Sequence, residues 1–179
     1  MKFTNVEEPQ VTKPMIIAAM QDMGNVGSIV IDFINRSLNT RCFRYASPPF
    51  PNYVIDKGGI EFQPERWEYK YGRNIIEFGG GTSQPQTNAE LYEMREDVIA
   101  VAKKYSAQMI YTVGAFHTSR YLSKQPKTFV TTSSQELMEQ VKRLAWKRPG
   151  SHFLSQVSMG LFWVLQSRIT YRVSELWGD

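Results

Sequence analysis

From Pro14 the chain reads Pro-Met-Ile-Ile-Ala-Ala-Met-Gln-Asp-Met-Gly-Asn-Val-Gly, an unbroken apolar run that meets a turn carrying Gly24 and Gly27. A short apolar run bounded by a glycine turn predicts a buried strand over Met15 to Met20. Beyond the turn, Val26, Ile29, Val30, Phe33, Ile34 and Leu38 recur at spacings of three and four. That period predicts an amphipathic helix with one stripe laid against a sheet.

The pattern then changes. Cys42 to Ala46 reads as a short strand that stops at Ser47-Pro48-Pro49-Phe50-Pro51. Prolines lack an amide donor and stiffen the chain, so this is a surface loop. Tyr53 to Ile55 and Ile60 to Phe62 flank Asp56-Lys57-Gly58-Gly59, a hairpin signal. Trp67 to Tyr71 alternates aromatic and charged residues, as a half-exposed strand does. Asn74 to Phe78 runs into Gly79-Gly80-Gly81, a second strand ending on a glycine turn.

Thr87 and Glu90 have the spacing of a capping box, and Leu91, Met94, Val98, Val101 and Ala102 give the following helix its apolar face. Met109 to Val113 is a further buried strand closed by Gly114, and Lys127 to Thr131 a shorter one. Ser133 with Glu136 is read as the cap of a last helix. Strands alternating with helices predict parallel pairing through right-handed crossovers. The expected fold is an α/β, three-layer α/β/α sandwich with a mostly parallel sheet and an antiparallel hairpin excursion near residues 53–71.

Three glycine-bearing turns, at Gly24 to Gly27, Gly79 to Gly81 and Gly114, follow three of these strands. In an open α/β sheet such loops share one edge, where ligands bind. The candidate positions there are Gly24, Asn25, Gly27, Gly79, Gly80, Gln84 and Gly114, with Pro48 and Pro49 as a rigid surface contact. A dinucleotide fingerprint needs three glycines spaced G-x-G-x-x-G and an acid about 20 residues on. Here Asp22 stands at the first glycine's position, and no acid lies between Phe43 and Ala46. A carboxylate there repels a pyrophosphate, so close helix–strand packing is the stronger reading of these glycines.

Chemistry is otherwise sparse. No Ser/His/Asp set, paired carboxylates or lysine-bearing phosphate loop stands at the strand ends, which favours a binding module over an enzyme. His117 and His152 are isolated and no cluster has metal-ligand spacing, so neither a metal nor a cofactor is expected. Of the 179 residues 42% are apolar and 21% charged, the balance of an ordinary globular domain. No apolar run reaches the roughly 18 residues that cross a bilayer. Met1 to Pro14 is polar and unlike a signal peptide. One cysteine, Cys42, allows no internal disulfide and fits a reducing cytoplasm. The net charge of +4 is scattered rather than striped, which argues against nucleic acid.

Met20-Gln-Asp-Met-Gly-Asn-Val-Gly27, Ser47-Pro-Pro-Phe-Pro51 and Gly79-Gly-Gly-Thr-Ser-Gln-Pro85, followed in order by Asn88 to Tyr92 and Tyr111-Thr-Val-Gly-Ala115, resemble one family. It is that of proteasome assembly chaperone two and its archaeal relatives. The match covers roughly residues 15–143. The resemblance implies an α/β/α fold similar to nucleoside phosphorylases, no catalytic residues, homo-oligomers, and proteasome α-subunits as partners. Some members have been labelled relatives of ATP-grasp ligases. The enzyme alternative is therefore a nucleotide-dependent ligase or phosphorylase-like activity using the Gly24 and Gly79 loops.

The chain departs from that family in three places. It has Gly80-Gly81-Thr82-Ser83-Gln84 where the family has Gly-Asp before the Gln, and Gly114-Ala115 for a double glycine. Proteasome-docking members end in a hydrophobic–Tyr–any tail, whereas this sequence ends Trp177-Gly178-Asp179, which predicts contact through another surface. After Leu144 the family continues Gly-Val-Glu and later carries a Gly-Phe-Asn-Gly tract. This chain has Ala145-Trp146-Lys147 and Val157 to Val164, whose codons read one nucleotide earlier permit the family's residues. Residues 1–144 are thus read as the family domain. Residues 145–179 are read as a frameshifted ending or, alternatively, as divergence into a new amphipathic helix.

Overall fold

The computed structural model describes residues 1–22, 24–49, 52–56, 58–63, 65–115, 130 and 132–143. In chain order the elements are β1 (Lys2–Asn5), β2 (Met15–Ala19), α1 (Val26–Leu38), β3 (Arg41–Ser47), β4 (Asn52–Asp56) and β5 (Gly59–Gln63). They continue with β6 (Trp67–Gly72), β7 (Ile75–Gly80), α2 (Asn88–Lys104), β8 (Met109–Val113) and α3 (Gln135–Arg143). Six strands form one sheet in the order β1-β3-β6-β7-β2-β8, while β4 and β5 form a two-stranded sheet of their own.

The α/β class is as expected, but the sheet is mixed rather than mostly parallel. Among the described residues only β2 makes parallel pairs, with β7 and β8. The pairings of β1 with β3, β3 with β6 and β6 with β7 are antiparallel. For β6 and β7 the reason is connection length. Parallel neighbours need a crossover of a dozen or more residues, usually a helix, whereas short connections return antiparallel. Arg73 and Asn74 alone join β6 to β7, and Arg73 takes the left-handed φ of 54° that a tight turn demands. The expected excursion over residues 53–71 is therefore a hairpin, β4–β5, followed by β6, which is a central strand.

Alternation divides β6 between two environments. Trp67 and Tyr69 are buried with Phe43, Ile16, Ile76 and Phe78 against Met94, Val98, Val101 and Ala102 of α2. Glu68 and Lys70 take the other face, where they form an ion pair of 2.9 Å. In β3 the pairing with β6 slips between Cys42 and Arg44. The bulge lets Phe43 enter the core while Arg44, next in sequence, reaches Asp97 of α2. Cys42 is half-buried, and burial together with nearby Glu68 raises its thiol pKa, the reverse of what a nucleophile needs.

α1 begins and ends near the expected positions, but its orientation is a correction. Gly27 lies so close to β2 that a Cβ there would fall 2.2 Å from the Met20 carbonyl oxygen. This contact presses the Gly27 side of the helix onto the sheet. Ile31 is buried with it, and Val30, Ile34 and Leu38 are half-buried. Ile29 and Phe33, expected in the core stripe, are instead 62% and 70% exposed. A glycine packs closer than any apolar side chain, and the periodic pattern does not register that.

α2 carries the expected capping box: Thr87 accepts from the Glu90 amide at 3.1 Å and the Glu90 carboxylate accepts from the Thr87 amide at 3.1 Å. α3 is capped one residue later than expected, by Ser134, whose hydroxyl accepts from the Leu137 amide at 3.2 Å. The strand expected over Lys127 to Thr131 lies outside the described residues, Val130 excepted. His117, His152, Phe50, Pro51 and residues 145–179 also lie outside them.

Candidate functional site

The parallel strands β2, β7 and β8 end at one edge of the sheet, and their loops meet there. Asp22 stands at the centre, 7% exposed. One carboxylate oxygen accepts from the amides of Gly24 at 3.1 Å and Val26 at 3.0 Å. The other accepts from Gly27 at 3.3 Å and from Ala115, beyond β8, at 2.5 Å. The first amides of a helix lack intrahelical partners and carry the positive end of its dipole. An anion belongs there, and the chain supplies its own.

Asn25 is the formal N-cap of α1 but makes no side-chain cap bond; its φ of 53° is left-handed. Asparagine tolerates that conformation better than most residues. The cap is Asp22, three residues upstream. Sequence reading saw Asp22 as an obstacle to pyrophosphate; the structure shows its carboxylate occupying the donors a phosphate would use.

The second loop repeats the device. Glu65, 6% exposed, accepts from the Thr82 amide and hydroxyl, each at 2.6 Å, and from the Ser83 amide at 3.2 Å. Gly80 and Gly81 reach this arrangement with φ of 83° and 77°. A Cβ on Gly81 would also come within 2.7 Å of the Glu65 carboxylate. Sequence reading missed Glu65 altogether, since it sits in a connection with no periodic pattern around it.

Gln84 ties the two loops together, its side-chain amide donating to the Gln21 carbonyl at 2.8 Å. Between them lies a small cleft lined by Ala18, Met20, Phe78, Leu91 and Val113 together with Asp22 and Gln84. Gly24, Asn25, Gly27, Gly79, Gly80, Gln84 and Gly114 are thus gathered at one edge. Gly27 and Gly79 are packing positions: a Cβ on Gly79 would lie 2.6 Å from the Ala19 carbonyl oxygen and 2.8 Å from Ile31 of α1. Pro48 and Pro49 leave the sheet from the same edge, because β3 runs in the direction of β7, but three strands across from β2.

A third buried carboxylate was also missed. Glu77, in the middle of β7, is 1% exposed, and one of its oxygens has no hydrogen-bond partner. Burial raises its pKa to about 7, against weaker opposing effects from Lys70 and a hydrogen bond from Asn35. The available signal was one charge inside an apolar strand. Among the described residues no three His, Cys, Asp or Glu side chains are grouped to hold a metal. No helix among them is long and apolar enough to cross a membrane.

Comparison with known proteins fits this edge into a family. The model of the PAC2 family matches residues 16–168, most of the chain and both anchored loops. The chain belongs to the PAC2 family. An uncharacterised protein of Methanocaldococcus jannaschii is 25% identical over 133 residues, which are 72% of this chain. The chain spans about half (50%) of the length of that curated relative.

Among solved structures, Pyrococcus furiosus PbaA, an archaeal homolog of proteasome-assembly chaperone, superposes with a TM-score of 0.69 at 20% identity, over 93% of this chain and 71% of PbaA. PbaB of the same organism, an archaeal proteasome activator, gives 0.64 at 18% identity, over 79% of this chain and 62% of PbaB. A PAC2 family protein of Streptomyces avermitilis gives 0.56 at 12% identity, over 84% and 68%. At these identities the likeness carries the fold alone.

Proposed function

We propose that this protein is a non-enzymatic chaperone of proteasome assembly that binds proteasome α-subunits. Membership of the PAC2 family and the fold shared with PbaA, itself a homolog of proteasome-assembly chaperone, support this partner class. The observation that carries the non-enzymatic half is the pair of internal anions. Asp22 accepts from the amides of Gly24, Val26 and Gly27 and Glu65 from those of Thr82 and Ser83, which supports a rigid edge built for contact over one built to hold a phosphate.

The competing reading is a nucleotide-dependent ligase or phosphorylase-like enzyme, for which a nucleotide would have to displace one of these carboxylates. No thermal stabilisation is expected from a panel of nucleoside mono-, di- and triphosphates with magnesium. A saturable shift accompanied by phosphate release would favour the enzyme.

The contact elements we assign are Pro48 and Pro49 and the β4–β5 hairpin. Rigid loops lose little conformational entropy on binding. In the hairpin, β4 and β5 pair antiparallel from Asn52–Gln63 to Asp56–Gly59, and Ile60 is exposed. We further read the layering as that of the nucleoside phosphorylases, the compartment as the cytoplasm and the active form as a homo-oligomer.

Immobilised protein is expected to retain free α-subunits or their rings from a mixture and to leave assembled core particles behind. Replacing Ile60 with Asp should weaken that capture. Correctly folded protein that retains neither species overturns the proposal.

A further inference from the structure

Two carboxylates on the α1 side of the sheet have unequal company. Glu68 of β6 holds two cations, Arg66 at 2.6 Å on one oxygen and Lys70 at 2.9 Å on the other. Glu77, one strand away on β7, is in no ion pair among the described residues. Asn35 of α1 hydrogen-bonds it, and the Thr40 hydroxyl occupies the Asn35 carbonyl, which leaves the amide for Glu77. Yet Oε2 of Glu77 is buried with no hydrogen-bond partner. β2 places Ile17 opposite and brings no charge. The charges that act on Glu77 are those of Lys70 and Glu68 on β6 and Asp32 on α1.

Lys70 is placed to serve either acid. The β6–β7 register sets it directly opposite Glu77, where side chains of an antiparallel pair stand about 5 Å apart at Cβ on one face. Glu68 is two residues away on the same strand and so on that face too. An ammonium on a flexible four-carbon stem reaches both. A protonated Glu77 has no charge with which to draw Lys70 from Glu68. An ionised one is a buried carboxylate with an empty acceptor site, which is costly unless paired. Lys70 can leave, because Arg66 stays behind and Glu68 is not stranded.

We infer that Lys70 is a proton-gated cation, paired with Glu68 while Glu77 is protonated and with Glu77 once that carboxyl ionises. Burial holds the Glu77 pKa at about 7, so the exchange falls near neutrality. Its outward effect is at the foot of the β4–β5 hairpin. There Arg66 lies over the Tyr45 ring, 5.6 Å from its centroid, and the Arg66–Glu68–Lys70 triad becomes an Arg66–Glu68 pair.

Nuclear magnetic resonance of the lysine ammonium nitrogens and glutamate carboxyl carbons, titrated about two pH units either side of neutrality, tests the exchange. The Lys70 resonance, assigned by its loss in Lys70→Met, should inflect at the midpoint of the Glu77 carboxyl, and Glu77→Gln should remove that inflection. Lys70→Met should raise the Glu77 midpoint by about one pH unit. Glu68→Gln should lower it, since the competitor for Lys70 is gone, and should do so much less in the Lys70→Met background. Simple charge proximity without exchange makes the two shifts additive. Additive shifts, or a Lys70 resonance that does not follow Glu77, overturn the inference.

Discussion

Asp22→Ala is expected to cost about 3–4 kcal/mol of unfolding free energy, because charge-assisted hydrogen bonds contribute roughly 1.5–3 kcal/mol each and four are lost together. The total falls short of the sum because water can reach some of the freed amides through the cleft. The freed amides also make a specific signature. Gly24, Val26, Gly27 and Ala115 all point at the vacated carboxylate position. The variant should therefore regain part of its stability in sulfate or phosphate beyond the wild type's response to the same salts. Urea unfolding monitored by circular dichroism, with chloride as the salt control, measures both effects. A loss below about 1 kcal/mol, or equal anion responses in the two proteins, would show that the carboxylate does not hold the edge together.

Glu77→Gln is expected to stabilise the protein at neutral and alkaline pH. The folded-state pKa is raised from 4.5 to about 7. Below 4.5 the carboxyl is protonated in both states and costs nothing. As pH rises through this window the unfolded chain releases the proton that the folded chain keeps. Stability then falls by about 1.4 kcal/mol per pH unit. Above about 7 the loss levels off at roughly 3 kcal/mol. The Gln variant lacks this term. Its unfolding free energy should match the wild type below about pH 4.5 and exceed it by about 2–3 kcal/mol at pH 8. Parallel pH profiles for the two proteins would mean that Glu77 titrates in the folded state as it does in the unfolded chain.

Much of the fold was written in periodicity. Met15 to Ala19, Ile75 to Gly80 and Met109 to Val113 were recoverable because each is a short, largely apolar run. α2 was recoverable from its capping box and its Met94–Val98–Val101 face. β1 was not: Lys2 to Asn5 is a short edge strand, and edge strands need no apolar run. The central place of β6 was hidden because its alternating Trp67-Glu68-Tyr69-Lys70 pattern suits a half-covered strand anywhere in a sheet. The rotation of α1 depends on Gly27, whose contribution is a missing side chain. The gathering of the glycine turns at one edge followed from topology. The acids that close them, Asp22 and Glu65, are 43 positions apart in the chain. Their shared role exists only in three dimensions.

The β4–β5 ribbon is inserted between two strands that pair directly with each other, Ala46 opposite Trp67. The framework on either side is held by β1, β7 and the bulged ladder itself, none of which pairs with the ribbon. Ser47 and Glu65 thus act as fixed posts between which the hairpin is suspended. Selection can lengthen, recharge or reshape it without disturbing the core.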